Sequence, residues 1–121
     1  MIDGNILFDG VEYHLSRAEI AYKECNIRQA IIDAKQALQL CKGGEQVDEG
    51  KVIALRIFIA RCYSRLGNLE KSNLLYRELV NENVYLPPVL LGLMHNNLAE
   101  GKSEKVKRNM CLVKIYLGEE Q

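Results

Sequence analysis

The sequence predicts an all-α chain built from paired helices. Three observations carry that prediction. Apolar residues recur at helical spacing, i, i+3, i+4, i+7, along nearly the whole length. The 121 residues contain only two prolines, adjacent at Pro87-Pro88, and abundant Leu, Ala, Glu, Lys and Gln favour helix. Finally, Gly67 sits inside the helix-like run YSRLGNLEKS, and another glycine, Gly101, follows it by 34 positions. A glycine within a helix costs roughly 1 kcal/mol relative to alanine, so its return at an interval marks a turn rather than a flaw.

The first helix is expected over residues 9–24, with Val11, Leu15, Ala18 and Tyr22 on one stripe. The second covers 27–41, where Ile27, Ala30, Ile31, Ala34, Ala37, Leu38 and Cys41 share a face. The run KGGEQVDEG, 42–50, has three glycines and four charges without an apolar pattern, and reads as a loop insertion. Helices over 49–66 and 69–82 follow. Asn83 to Leu86 then connects to Pro87-Pro88, which suits the first turn of a fifth helix reaching Glu100. A sixth is expected over 103–117, stopped by Gly118. The turns within the three pairs, Cys25-Asn26, Gly67-Asn68 and Gly101-Lys102, are short enough to force antiparallel neighbours. Cys25 precedes Gly67 by 42 positions, eight more than the later interval, and the 42–50 insertion holds the surplus.

Sixteen basic and sixteen acidic residues cancel, which argues against nucleic acid or an anionic membrane bound through bulk charge. Apolar residues make up 48%, too many for a disordered chain. No secretory signal is visible in MIDGNILFDG, and no apolar run reaches the roughly 20 residues of a membrane span. The four cysteines, Cys25, Cys41, Cys62 and Cys111, form no CxxC pair and read as reduced thiols in a cytoplasmic or nuclear setting. With His14 and His95 they match no usual zinc spacing, so no metal or cofactor is expected. KGGEQVDEG lacks the phosphate-loop spacing, and KSEKVKR reads as a solvated basic helix face. A Cys–His hydrolase requires Cys62 or Cys111 exposed beside a histidine; both fall inside helices, so no catalytic residue is assigned.

A 34-residue helix–turn–helix period is that of tetratricopeptide repeats, and the chain resembles this family over about residues 9–117. In the second repeat the family's characteristic positions fall on Ala60, Tyr63, Gly67, Leu69, Ser72, Tyr76, Leu79 and Val84. In the first they fall on Ala18, Ala21, Cys25, Ile27, Ala30, Ala34, Ala37 and Lys42, with Cys25 in place of glycine. The third repeat, with Met94, Asn97, Gly101, Ser103, Val106, Met110, Val113 and Leu117, keeps only the turn glycine and apolar character. The resemblance implies one domain over 1–121. It would hold three repeats (about 9–42, 51–84 and 86–118) wound into a right-handed α-α superhelix.

It also implies a role: a non-enzymatic scaffold that binds a protein segment in a concave groove lined by the first helix of each repeat. The groove residues would be Leu15, Glu19, Tyr22 and Lys23 in the first repeat, Ile57, Arg61, Ser64 and Arg65 in the second, and Leu91, His95 and Leu98 in the third. That set mixes an apolar spine (Leu15, Ile57, Leu91) with cations, and suits a peptide with apolar anchors and acidic residues. Repeat proteins that capture chaperone C-termini carry Lys, Asn and Arg where this chain has Leu15, Glu19, Pro88 and Gly92, which argues against that subtype. In layout the chain is similar to the N-terminal repeats of anaphase-promoting complex subunits, which commonly homodimerise; YHLSRAEIAYKECNIRQAI, the KGGEQVDEG insertion and ARCYSRLGN carry that likeness. It is also similar to the three-repeat chaperones of bacterial type III secretion. The insertion and the four cysteines tilt toward the first. Apolar residues at the ends (Ile6-Leu7-Phe8, and Val106, Met110, Val113 and Leu117) would favour self-association or a covering partner.

Overall fold

Five helices make up the part of the chain described by the computed structural model, residues 10–44 and 46–100. They are α1 (Gly10–Lys23), α2 (Ile27–Gly43), α3 (Glu49–Arg65), α4 (Leu69–Asn81) and α5 (Pro87–Ala99). Among the described residues there is no strand. Every boundary falls within two residues of its expected place. The expected sixth helix, its turn at Gly101-Lys102 and the Ile6-Leu7-Phe8 segment lie outside the described residues.

The two short turns have one geometry despite different sequences. Cys25 and Gly67 both adopt left-handed backbone, at φ +64° and +86°. Each closes the preceding helix with the same pair of hydrogen bonds. Cys25 N–H donates to the Tyr22 carbonyl (3.1 Å) and Asn26 N–H to that of Ala21 (2.8 Å). Gly67 N–H donates to the Ser64 carbonyl (3.0 Å) and Asn68 N–H to that of Tyr63 (2.9 Å). This is the Schellman arrangement, which satisfies carbonyls that a helix end leaves open. The following asparagine then caps the next helix: Asn26 Oδ1 accepts from Gln29 N–H at 3.4 Å and Asn68 Oδ1 from Lys71 N–H at 3.2 Å. A 42-residue internal repeat is therefore written into the backbone. Cys25 occupies the glycine-favouring position with a β-carbon present.

Small residues are buried between the helices of each pair. Ala18 and Ala30 in the first pair, and Ala60 and Ser72 in the second, are all wholly buried. The approach of α3 to α4 is close enough for Ser72 Oγ to donate to the Ala60 carbonyl at 2.7 Å. Three apolar clusters follow the chain. Ala18, Ala34, Ala37, Cys41, Val52, Leu55 and Ile59 join α1, α2 and α3. Ala21, Ile27, Ala30, Ile31 and Cys62 form the second at the turn end of the same helices. Ile57, Ala60, Tyr76, Leu79 and Val89 join α3, α4 and α5. Each helix packs on its neighbours in sequence, and α3 also touches α5. Residues of α1, α3 and α5 border one common groove.

One charged group is buried between α1 and α2. Asp33, 3% exposed, accepts from Gln29 Nε2 at 2.8 Å, contacts His14 Nδ1 at 3.1 Å and lies 3.3 Å from Arg17 Nε. Burial alone would raise its pKa. The bonds from Gln29 and His14 and the Arg17 charge outweigh burial and hold the carboxyl below its ordinary value.

Two predictions follow from these contacts. Gly67→Ala forces a β-carbon into left-handed backbone and should cost about 1–2 kcal/mol, whereas Cys25→Gly should leave stability unchanged or raise it by up to about 1 kcal/mol. Urea denaturation reads both, and a loss on Cys25→Gly as large as that on Gly67→Ala would disprove the equivalence of the turns. Because Asp33 has a depressed native pKa, its contribution is complete above the unfolded carboxyl pKa of about 3.9 and disappears as pH falls through the native value. Asp33→Asn should therefore cost about 1.5–3 kcal/mol at neutral pH, with the gap to wild type closing below about pH 4. A gap that widens on acidification contradicts the assignment.

Candidate functional site

The residues of α5 are positioned by a buried polar network. Asn96, wholly buried, accepts from Ser64 Oγ (2.7 Å) on α3 and donates through Nδ2 to Ser72 Oγ (2.8 Å) and Asn73 Oδ1 (2.9 Å) on α4. Its acceptor and both donors are engaged, so the carboxamide locks the rotation of α5 about its own axis. A second constraint is steric. The Tyr76 ring lies so close to α5 that a β-carbon at Gly92 would overlap it. Together these contacts turn Pro88, Leu91 and His95, one helical stripe, toward α3.

The stripe forms one wall of a groove of about 480 Å³, lined by Tyr22, Arg61, Ser64, Arg65, Tyr76, Pro87, Pro88, Leu91, Gly92 and His95. Its volume suits a short peptide stretch. Arg61 and Arg65, one turn apart on α3, stand opposite Leu91, which is 53% exposed. The Arg65 guanidinium sits 4.9 Å from the centre of the Tyr22 ring, and its Nη2 is 3.8 Å from Cys25 Sγ. Neither arginine forms an ion pair among the described residues, and no carboxylate lines the groove. The cleft therefore offers two unneutralised guanidiniums beside apolar surface.

Of the eleven residues expected in the groove, Tyr22, Arg61, Ser64, Arg65, Leu91 and His95 line it together. Ile57 departs from the expectation: it lies in the core with Tyr76, Leu79 and Val89, because α4 and α5 close over that edge of α3. Leu15 is half-buried against the first core cluster. Glu19, Lys23 and Leu98 are exposed but line no part of the cleft. Tyr76 was not foreseen as a lining residue. Its place in the sequence reads as packing, and its reach into the groove depends on the missing side chain at Gly92.

No disulfide joins the three described cysteines, of which Cys25 is exposed and Cys41 and Cys62 are buried. Burial pushes the Cys62 thiol up to about 11, against the opposing pull of Arg61 and Arg65. A group so far from ionised at neutral pH is a poor nucleophile. Among the described residues, no three His, Cys, Asp or Glu side chains gather as metal ligands, and no helix is long and apolar enough to cross a membrane. No protein-family profile matches the chain, and neither a curated protein nor a solved structure is significantly similar to it.

In the folded protein at neutral pH, Cys62 should react with a thiol reagent about two orders of magnitude more slowly than a free cysteine peptide. Mass spectrometry of the labelled peptides reads this directly. A fast Cys62 would return the hydrolase reading to contention.

Proposed function

We propose that this protein is a non-enzymatic interaction scaffold of the tetratricopeptide type, its repeats wound as a right-handed α-α superhelix. Its concave groove would bind an acidic protein segment bearing apolar anchors. The observation that supports this reading best is the groove's charge: Arg61 and Arg65, the latter stacked on Tyr22, have no carboxylate among the lining residues and stand beside the exposed Leu91. Two guanidiniums one helical turn apart match a partner carboxylate in fork geometry, and Tyr22, Pro88 and Leu91 offer it an apolar ledge. Residues from α1, α3 and α5 contribute together, so the site depends on stacking successive pairs. The connection between the first two pairs, shorter in the structure (44–48) than the expected 42–50 loop because α2 and α3 take up its ends, favours a role within a multi-subunit assembly, on the pattern of anaphase-promoting complex subunits, over a secretion chaperone.

Selection from a random peptide library tests the reading. Wild-type protein should enrich Asp or Glu next to Leu, Ile or Phe. Arg61→Glu combined with Arg65→Glu should abolish that enrichment while helicity is unchanged. Identical selected sequences from both proteins would refute the groove as the binding site.

A further inference from the structure

The opposite face of α3 carries a second groove, of about 430 Å³, between α2 and α4. On a helical wheel Arg56, Ile59 and Tyr63 lie roughly 180° from Arg61 and Arg65, so one helix serves both faces. At one end, two lysines from different helices converge on a single ring. Lys35 Nζ of α2 is 5.4 Å from the centre of the Tyr63 ring and donates to its hydroxyl at 2.8 Å. Lys71 Nζ of α4 is 5.3 Å from the same centre. Neither ammonium forms an ion pair among the described residues, and each raises the local positive potential felt by the other.

The other end differs. Arg56 is neutralised there by Glu82 through two parallel bonds of 2.8 Å. Between the ends, Leu38, Ile59 and Leu75 line an apolar floor. The groove runs from the Lys35 and Lys71 ammoniums over apolar surface to the Arg56–Glu82 ion pair, where Lys42 and Glu78 also line it. A continuous polyanion such as a nucleic acid backbone would meet Glu78 and Glu82. A short segment with one acidic end and an apolar continuation would not.

We propose that this convex groove is a second binding site, for a protein segment in which an acidic residue precedes an apolar one. The carboxylate bridges Lys35 and Lys71 at the Tyr63 ring, and the apolar side chain lies on Leu38 and Leu75. The site is separate from the concave groove and does not depend on it.

The probe is the peptide acetyl-Glu-Glu-Leu-Leu-amide, titrated into isotopically labelled full-length protein carrying Arg61→Glu and Arg65→Glu, which silences the concave groove. Amide shifts are expected around Lys35, Tyr63 and Lys71. Adding Lys35→Gln and Lys71→Gln should weaken binding about tenfold. Lys35→Arg with Lys71→Arg, which keeps the charge, should largely retain it. The proposal is overturned by equal binding of the Lys-Lys-Leu-Leu analogue, or by inorganic phosphate alone producing the same shifts. It is also overturned if shifts appear only in protein with intact Arg61 and Arg65 and map to Leu91 and His95; that result would leave the concave reading standing.

Discussion

Ser72 donates its hydroxyl to the Ala60 carbonyl at 2.7 Å, and the seating of α5 depends on that crossing. Two helices approach this closely only if both present small side chains, and Ala60 and Ser72 are wholly buried. The same hydroxyl oxygen accepts from Asn96 Nδ2. One serine therefore sets the spacing of a helix pair and supplies an anchor for the helix that follows. In the first pair Ala30 stands at the corresponding place and offers no such oxygen. The second pair is the one that must orient a groove wall, and it is the one with a polar crossing. Such a network is stabilising only when saturated, since a buried amide left unpaired costs about 1–3 kcal/mol. Asn96 meets that condition with three bonds.

Opposite faces of α3 present different cations. Arg61 and Arg65 present planar, forked donors to one groove, while Tyr63 gathers the point charges of Lys35 and Lys71 in the other. The chain's net charge is zero, yet among the described residues no carboxylate pairs with Arg61, Arg65, Lys35 or Lys71. Glu82 is spent on Arg56, Glu12 reaches Lys51 at 2.7 Å, and Asp33 is buried with His14 and Arg17. Net neutrality excludes a bulk electrostatic binder, but it says nothing about which cations are left without partners.

Helices and turns were legible in the sequence because their causes are local. Apolar spacing sets each helical face, asparagine caps act over three residues, and Pro87-Pro88 opens α5 where its missing N–H is harmless. Cys25 was legible too, through its offset from Gly67, although no propensity places cysteine at a left-handed position. The polar core was not. Asn73 and Asn96 look like surface residues, and only the fold shows that their partners lie 23 or more positions away. Six groove residues were foreseen through the tetratricopeptide resemblance, which assigns them by position in each repeat; Ile57 carries the same assignment, but packing of α4 and α5 takes it into the core. The pairing of Lys35 with Tyr63, 28 positions apart, has no periodic signature at all.

Where the polar groups are engaged bears on what kind of protein this is. A catalytic centre holds donors, acceptors or a thiolate in readiness for a substrate. Here the Asn96 network is satisfied by the protein itself, and burial carries the Cys62 thiol away from ionisation. Its polar bonds go into fixing the rotation of α5. Among the described residues, Asn97 Oδ1 is buried without a hydrogen bond, and Arg61 and Arg65 on one face and Lys35 and Lys71 on the other form no ion pair. The molecule's chemistry is concentrated in its geometry of presentation, in keeping with the proposed scaffold and with more than one partner-facing side.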